Sequence, residues 1–156
     1  MEKAFLIFLL VASQNSFAAP SNRDGELGLG VMIGNTTSIN GKFWTQSNGG
    51  LDLAVGGTVN KEGMAQLSYV GNIIAPLSAE PRFLSETTLY FGGGAGVGFN
   101  REIDHIKRKN DYYIRAPLGV AWMPNRTPVD IFAEVAPTYI FEPTGVFSFV
   151  GNVGGR

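Results

Sequence analysis

The stretch Leu89-Tyr90-Phe91-Gly92-Gly93-Gly94-Ala95-Gly96-Val97-Gly98-Phe99 decides how the rest of the chain is read. At a period of two, Leu89, Phe91, Ala95, Val97 and Phe99 share one face, and Gly92, Gly94, Gly96 and Gly98 share the other. That is a strand with one apolar side. The glycines invite comparison with phosphate-binding loops, but no Gly-Lys-Ser/Thr follows, and the dinucleotide spacing fails because residue 97 is valine. Glycines lined along one strand face describe a crowded surface, where neighbouring side chains need room.

The same period extends in both directions. Leu27, Leu29, Val31 and Ile33 alternate with Gly28, Gly30, Met32 and Gly34, before a turn at Asn35-Thr36-Thr37. From Ser38 to Gln46, Ile39, Phe43 and Thr45 oppose Asn40, Lys42 and Trp44, and Ser47-Asn48-Gly49-Gly50 reads as the next turn. Leu51, Leu53, Val55 and Val59 then oppose Asp52, Ala54, Gly56 and Thr58; after Asn60-Lys61-Glu62-Gly63, Ala65, Leu67, Tyr69 and Ile73 mark a fourth strand. A longer connection, Ala75 to Glu86, carries Pro76 and Pro81 and leads into the glycine-rich strand.

Beyond a charged loop, Asn100 to Asp111, the segment Tyr112 to Trp122 reads as one strand, with Tyr113, Arg115, Pro117, Gly119 and Ala121 on its second face. After the turn Pro124 to Pro128, Val129, Ile131, Ala133, Val135 and Tyr139 oppose Asp130, Phe132, Glu134 and Thr138. Glu142-Pro143-Thr144-Gly145 turns into a last strand, with Phe147, Phe149 and Val153 opposite Ser148, Val150, Asn152 and Arg156. The expectation is an all-β chain: an eight-stranded antiparallel up-and-down β-barrel, closed on itself so that no edge is left open.

Composition narrows the function. The 156 residues suit one domain plus a short targeting segment, and the 16% charged share is low against the usual quarter or so. A net charge of -1 offers no basic field for nucleic acid. With no cysteine, thiol catalysis, disulfides and Cys-ligated metals are excluded, and the one histidine leaves little for a metal centre. Lys3, the nine-residue apolar run Ala4 to Ala12 and the small residues Ser16 and Ala18 spell a signal peptide over residues 1–18, leaving a barrel domain over 19–156. The apolar run is too short for a transmembrane helix, which needs roughly 20 residues.

Alternation does not say which face points outward; the composition of the second face does. A water-washed exterior carries roughly 25–35% charged residues. This face offers glycine, alanine, serine, threonine and asparagine, with few charges: Lys42, Asp52, Arg115, Glu134 and Arg156. It suits the interior of a small barrel whose apolar face meets lipid, a barrel of the transmembrane type. The five charges then form a lumen network of three positive and two negative groups, which burial requires to be paired. Eight strands leave an interior just wide enough for side chains, so this network reads as a plug, with a charged gate or narrow pore as the functional alternative. Phe43, Trp44, Tyr69, Phe91, Phe99, Tyr112, Tyr113, Trp122, Tyr139, Phe141 and Phe147 are candidates for interfacial girdles.

The pieces Gly28-Leu29-Gly30-Val31-Met32-Ile33-Gly34, Asn40-Gly41-Lys42-Phe43-Trp44, Arg115-Ala116-Pro117-Leu118-Gly119-Val120-Ala121 and Asp130-Ile131-Phe132-Ala133-Glu134-Val135-Ala136-Pro137 carry a resemblance. They resemble a family of small, largely uncharacterised bacterial outer-membrane β-barrel proteins of the eight-stranded type. The resemblance covers most of the chain after the signal peptide and implies a Gram-negative outer-membrane location. It implies no activity. In that family the final strand runs past the arginine into aromatic residues ending in phenylalanine, a signal for barrel assembly, whereas this sequence stops at Gly154-Gly155-Arg156.

The functional expectation is a small, porin-like outer-membrane barrel with a structural or surface-interaction role, not an enzyme. Outer-membrane lipid surrounds it, no nucleic acid or cofactor is implied, and it acts as a monomer. With the N-terminus periplasmic, the loop Asn100 to Asp111 is external, and its Arg101, His105, Lys107, Arg108 and Lys109 are candidates for contact with lipopolysaccharide or an extracellular partner, although the loop's charges nearly cancel. Asp52 with Glu134 or Asp130 could form a hydrolytic carboxylate pair only beside a substrate cleft. The alternative is a soluble periplasmic barrel that binds a small apolar ligand, its cavity lined by Leu27, Val31, Leu53, Phe91 and Phe99.

Overall fold

The structure, a computed structural model, describes residues 25–46, 48–58, 61–74, 82–99, 110–124, 129–142 and 145–156. In chain order these form β1 (Leu27–Gly34), β2 (Thr36–Gln46), β3 (Gly49–Thr58), β4 (Lys61–Ile74), a single helical turn α1 (Arg82–Ser85), β5 (Thr87–Phe99), β6 (Asp111–Arg115), β7 (Leu118–Trp122), β8 (Ile131–Glu142) and β9 (Val146–Gly155). Every pairing is antiparallel. Strands pair along the chain from β1 to β5, both β6 and β7 lie between β5 and β8, and β9 returns to β1. The sheet is a closed barrel.

Two differences from the sequence reading concern where chain direction changes. Asn35 alone forms the first turn, because Thr36 and Thr37 already belong to β2, and Gly49 and Gly50 belong to β3. A positive φ of 62° at Gly145 turns the chain into β9, a conformation that glycine adopts without steric penalty. The signal segment 1–18 and most of the loop Asn100 to Asp111 lie outside the described residues.

A third difference lies in the wall itself. The segment read as one strand from Tyr112 to Trp122 is split at Ala116-Pro117 into β6 and β7. The halves keep one register: Gly94 faces Arg115 and Phe91 faces Leu118 on β5, while Thr138 faces Arg115 and Val135 faces Leu118 on β8. They are two parts of one stave, so the ring has eight. The break follows from proline, which has no N–H for a ladder bond. Ala116 N donates to Pro137 O at 3.0 Å and Gly92 N donates to Pro117 O at 2.9 Å, and neither bond can be returned.

The lateral register fixes how the ring closes. From Val31, one direction leads through Ile39, Val55 and Ala65 to Val97 on β5. The other leads through Gly155, Ile131 and Trp122 to Thr87 on the same strand, an offset of ten residues. Eight staves with that stagger tilt by about 40° to the barrel axis, given the usual strand spacings.

The two faces are as different as the period implied. Leu29 and Ile39 are 70% exposed, and Leu53, Leu67, Ile114, Phe149 and Val153 stand outward with them. Ser38, Asn40, Lys42, Ser68, Arg115, Thr138 and Asn152 are buried inside, with Met32, Met64, Tyr90 and Phe132. Leu27, Val31, Leu53, Phe91 and Phe99 therefore line no cavity; they lie on the outer wall, opposite to the placement a soluble ligand-binding barrel requires. Trp44 and Tyr113 leave the set of girdle aromatics, because both point into the lumen and are buried there.

Candidate functional site

Near the mouth framed by the β2–β3 turn and the start of β8, Arg156 organises the interior. It follows β9, and its backbone exchanges bonds with Asp130: Arg156 N donates to Asp130 O at 2.9 Å, and Asp130 N donates to Arg156 O at 2.6 Å. This pairing aims the side chain inward, where Nε donates to Asp130 Oδ2 at 2.9 Å. An Nη donates to Asp52 on the far side of the chain order, forming a second ion pair. The guanidinium carbon lies 4.4 Å from the Phe132 ring centre and 6.0 Å from that of Trp44. Phe132 fits there because Gly154, its direct cross-strand partner, has no side chain.

Lys42 completes this layer. Its Cα partner across β2 and β3 is Asp52, and its ammonium sits 5.1 Å from the Trp44 ring and 5.7 Å from the Tyr90 ring. Two cations thus share the π face environment of Trp44. Such contacts are worth about 2 kcal/mol or more where water is excluded. Gly28 supplies the space for the indole, since a Cβ there would come within 2.9 Å of the ring.

One layer further in, Arg115 at the end of β6 forms an ion pair with Glu134 of β8, and the Tyr90 hydroxyl donates to the other carboxylate oxygen of Glu134 at 3.2 Å. Above this, neutral groups take over, with the Tyr113 hydroxyl donating to Gln66 Oε1 at 3.3 Å. At the opposite mouth, Asn152 Oδ1 accepts from Thr36 N at 3.2 Å and Thr36 Oγ1 at 3.0 Å, while Asn35 Oδ1 accepts from Gly151 N at 2.9 Å. These contacts staple β1 and β2 to β9 where the ring closes.

The structure thus brings Lys42, Asp52 and Arg156 together and pairs Arg115 with Glu134. The member absent from the sequence-derived network is Asp130. Its signal was present, since it alternates onto the inner face with Phe132 and Glu134, but it lies before β8 begins. With Asp130 counted, the cations Lys42, Arg115 and Arg156 meet an equal number of carboxylates, and the layer is neutral. Arg101, His105, Lys107, Arg108 and Lys109 lie outside the described residues. Among the described residues, no group of three His, Asp or Glu side chains is placed to hold a metal ion.

Comparison of the chain with protein-family profiles, with curated proteins and with solved structures gave no match.

Proposed function

We propose that this chain is a small outer-membrane β-barrel with lipid around its wall and a lumen stoppered by paired charges, serving a structural or surface-interaction role. One observation carries the reading. Twenty-six large apolar or aromatic side chains stand exposed on the outer wall among the described residues. The outward positions of β1, β2, β3, β5, β6, β7 and β9 carry no charge, nor do those of β4 from Gly63 onward and of β8 as far as Phe141; the exposed Glu142 stands at the end of β8. A soluble monomer rarely exposes a contiguous apolar patch beyond a few hundred Å². A wall apolar all the way round, enclosing ion pairs, suits a barrel in lipid. The same inversion weighs against the soluble ligand-binding alternative, whose core would have to be the side that is outside here.

The resemblance to small bacterial outer-membrane barrels supports the same location, and the short N-terminal apolar segment supports export. Loop residues Arg101, His105, Lys107, Arg108 and Lys109 are the proposed contacts with lipopolysaccharide or an extracellular partner. Expression from Met1 in a Gram-negative host, followed by fractionation and a carbonate wash, tests the location. Recovery in the washed outer membrane is expected. Recovery in the soluble periplasm would overturn the reading.

A further inference from the structure

Pro117 and Pro137 lie on facing staves at one height. The registers Arg115 to Thr138 and Leu118 to Val135 bracket them, so the two prolines occupy neighbouring rungs. In an antiparallel ladder each bonded pair exchanges two N–H···O bonds. Here the seam toward β8 keeps the bond from Ala116 N to Pro137 O, and the seam toward β5 keeps that from Gly92 N to Pro117 O. Neither return bond can form. Two adjacent seams are therefore thinned at the same level of the wall, which is where the stave divides into β6 and β7.

The side chains behind this level bridge it. Arg115 is the last residue of β6, while its ion-pair partner Glu134 stands opposite Gly119 of β7. The pair thus runs diagonally across the break, from one half-stave to the level of the other. Tyr90, which faces Gly119 from β5, donates its hydroxyl to the same carboxylate at 3.2 Å. Three staves meet on Glu134.

We propose that Ala116-Pro117 is a hinge in the barrel wall and that the Arg115–Glu134–Tyr90 cluster is the clamp that holds it shut. With the clamp closed, β6 and β7 move as one strand. With the clamp released, each half opens by itself, and opening spreads to the ladder on either side without involving the rest of the ring. Glu134 is a positioning residue here: it acts through the two side chains it holds.

Amide hydrogen exchange on the full chain, in whatever medium keeps it folded, tests this directly. Glu134→Gln should speed exchange at least tenfold in segments 92–94, 113–120 and 134–138, while segments 39–43 and 51–55 change less than threefold. Adding Pro117→Ala, which restores a donor to the thinned seam, should bring the accelerated segments back to within threefold of the original protein. If Glu134→Gln yields no folded protein, Tyr90→Phe replaces it and must show the same local pattern at smaller amplitude. Acceleration spread evenly over all strands, no acceleration, or no suppression by Pro117→Ala would overturn the hinge.

Discussion

Tyr90 lies so close across the lumen face of Gly119 that a Cβ at position 119 would fall 2.5 Å from the ring's Cζ and 2.6 Å from its hydroxyl oxygen. The two residues are direct cross-strand partners, as are Tyr113 and Gly96, where the corresponding approach is 2.4 Å. Inward aromatic rings in this barrel stand over inward glycines of the neighbouring stave. Gly28, Gly96, Gly119 and Gly154 mark the places where Trp44, Tyr113, Tyr90 and Phe132 fill the lumen.

Gly119→Ala should therefore destabilise the barrel by about 1–3 kcal/mol, the usual range for overpacking, since the added methyl also meets the Ala133 carbonyl oxygen at 2.5 Å. Gly41 faces outward, and a Cβ there meets the flexible end of Leu29 at 3.2 Å and the Gly28 carbonyl oxygen at an ordinary contact distance of 3.6 Å. Gly41→Ala should be neutral or stabilise slightly, by about 0.5 kcal/mol. Urea midpoints of the two variants, followed by tryptophan fluorescence, give the comparison; equal losses would remove the packing account.

Arg156 holds two carboxylates at once, so Arg156→Met leaves the buried Asp130 without its guanidinium and the partly buried Asp52 with Lys42 alone beside it. Removing one side of a buried pair costs about 3–5 kcal/mol. Adding Asp52→Asn to Arg156→Met should recover part of that loss, because the pair is coupled. Additive losses in the double-mutant cycle would show that the two side chains do not act together.

Leu53 stands at mid-wall with half its surface exposed. If lipid covers it, Leu53→Arg should lower unfolding stability in bilayers by about 2–4 kcal/mol. If water covers it, the change should stay within about 0.5 kcal/mol. The same variant thus reports what the outer wall touches.

The neutral layer of Lys42, Asp52, Asp130, Arg156, Arg115 and Glu134 should keep the lumen shut to ions. Purified protein in planar bilayers is expected to give no discrete current steps. Regular steps from the unmodified chain would mean that the charges line a passage instead of closing one.

The period-two pattern made both faces legible in the sequence, down to Lys42, Trp44, Arg115 and Glu134 on the inner side, because alternation in a strand is fixed by the pleat. Arg115 and Glu134 fall on adjacent staves of that pattern, and the structure pairs them. What stayed hidden depends on geometry that alternation does not encode. Alternation puts Asp130 on the inner face, but its partner appears only when Arg156 of β9 is laid beside it. Pro117 stood in plain view as a ladder breaker, yet only the facing Pro137 shows that both seams thin together. The sequence allows Trp44 either the inner face or an interfacial girdle, and the room that Gly28 leaves for its ring decides for the inner face.

The ten-residue offset also decides how distant parts of the wall are joined. A path followed sideways from rung to rung leaves β5 at Thr87, beside one mouth, and after a single circuit rejoins it at Val97, near the other. The two rims are successive threads of one screw. A line followed along the cross-strand bonds from the rim that holds Arg156 reaches the opposite opening with no lengthwise step through the side chains.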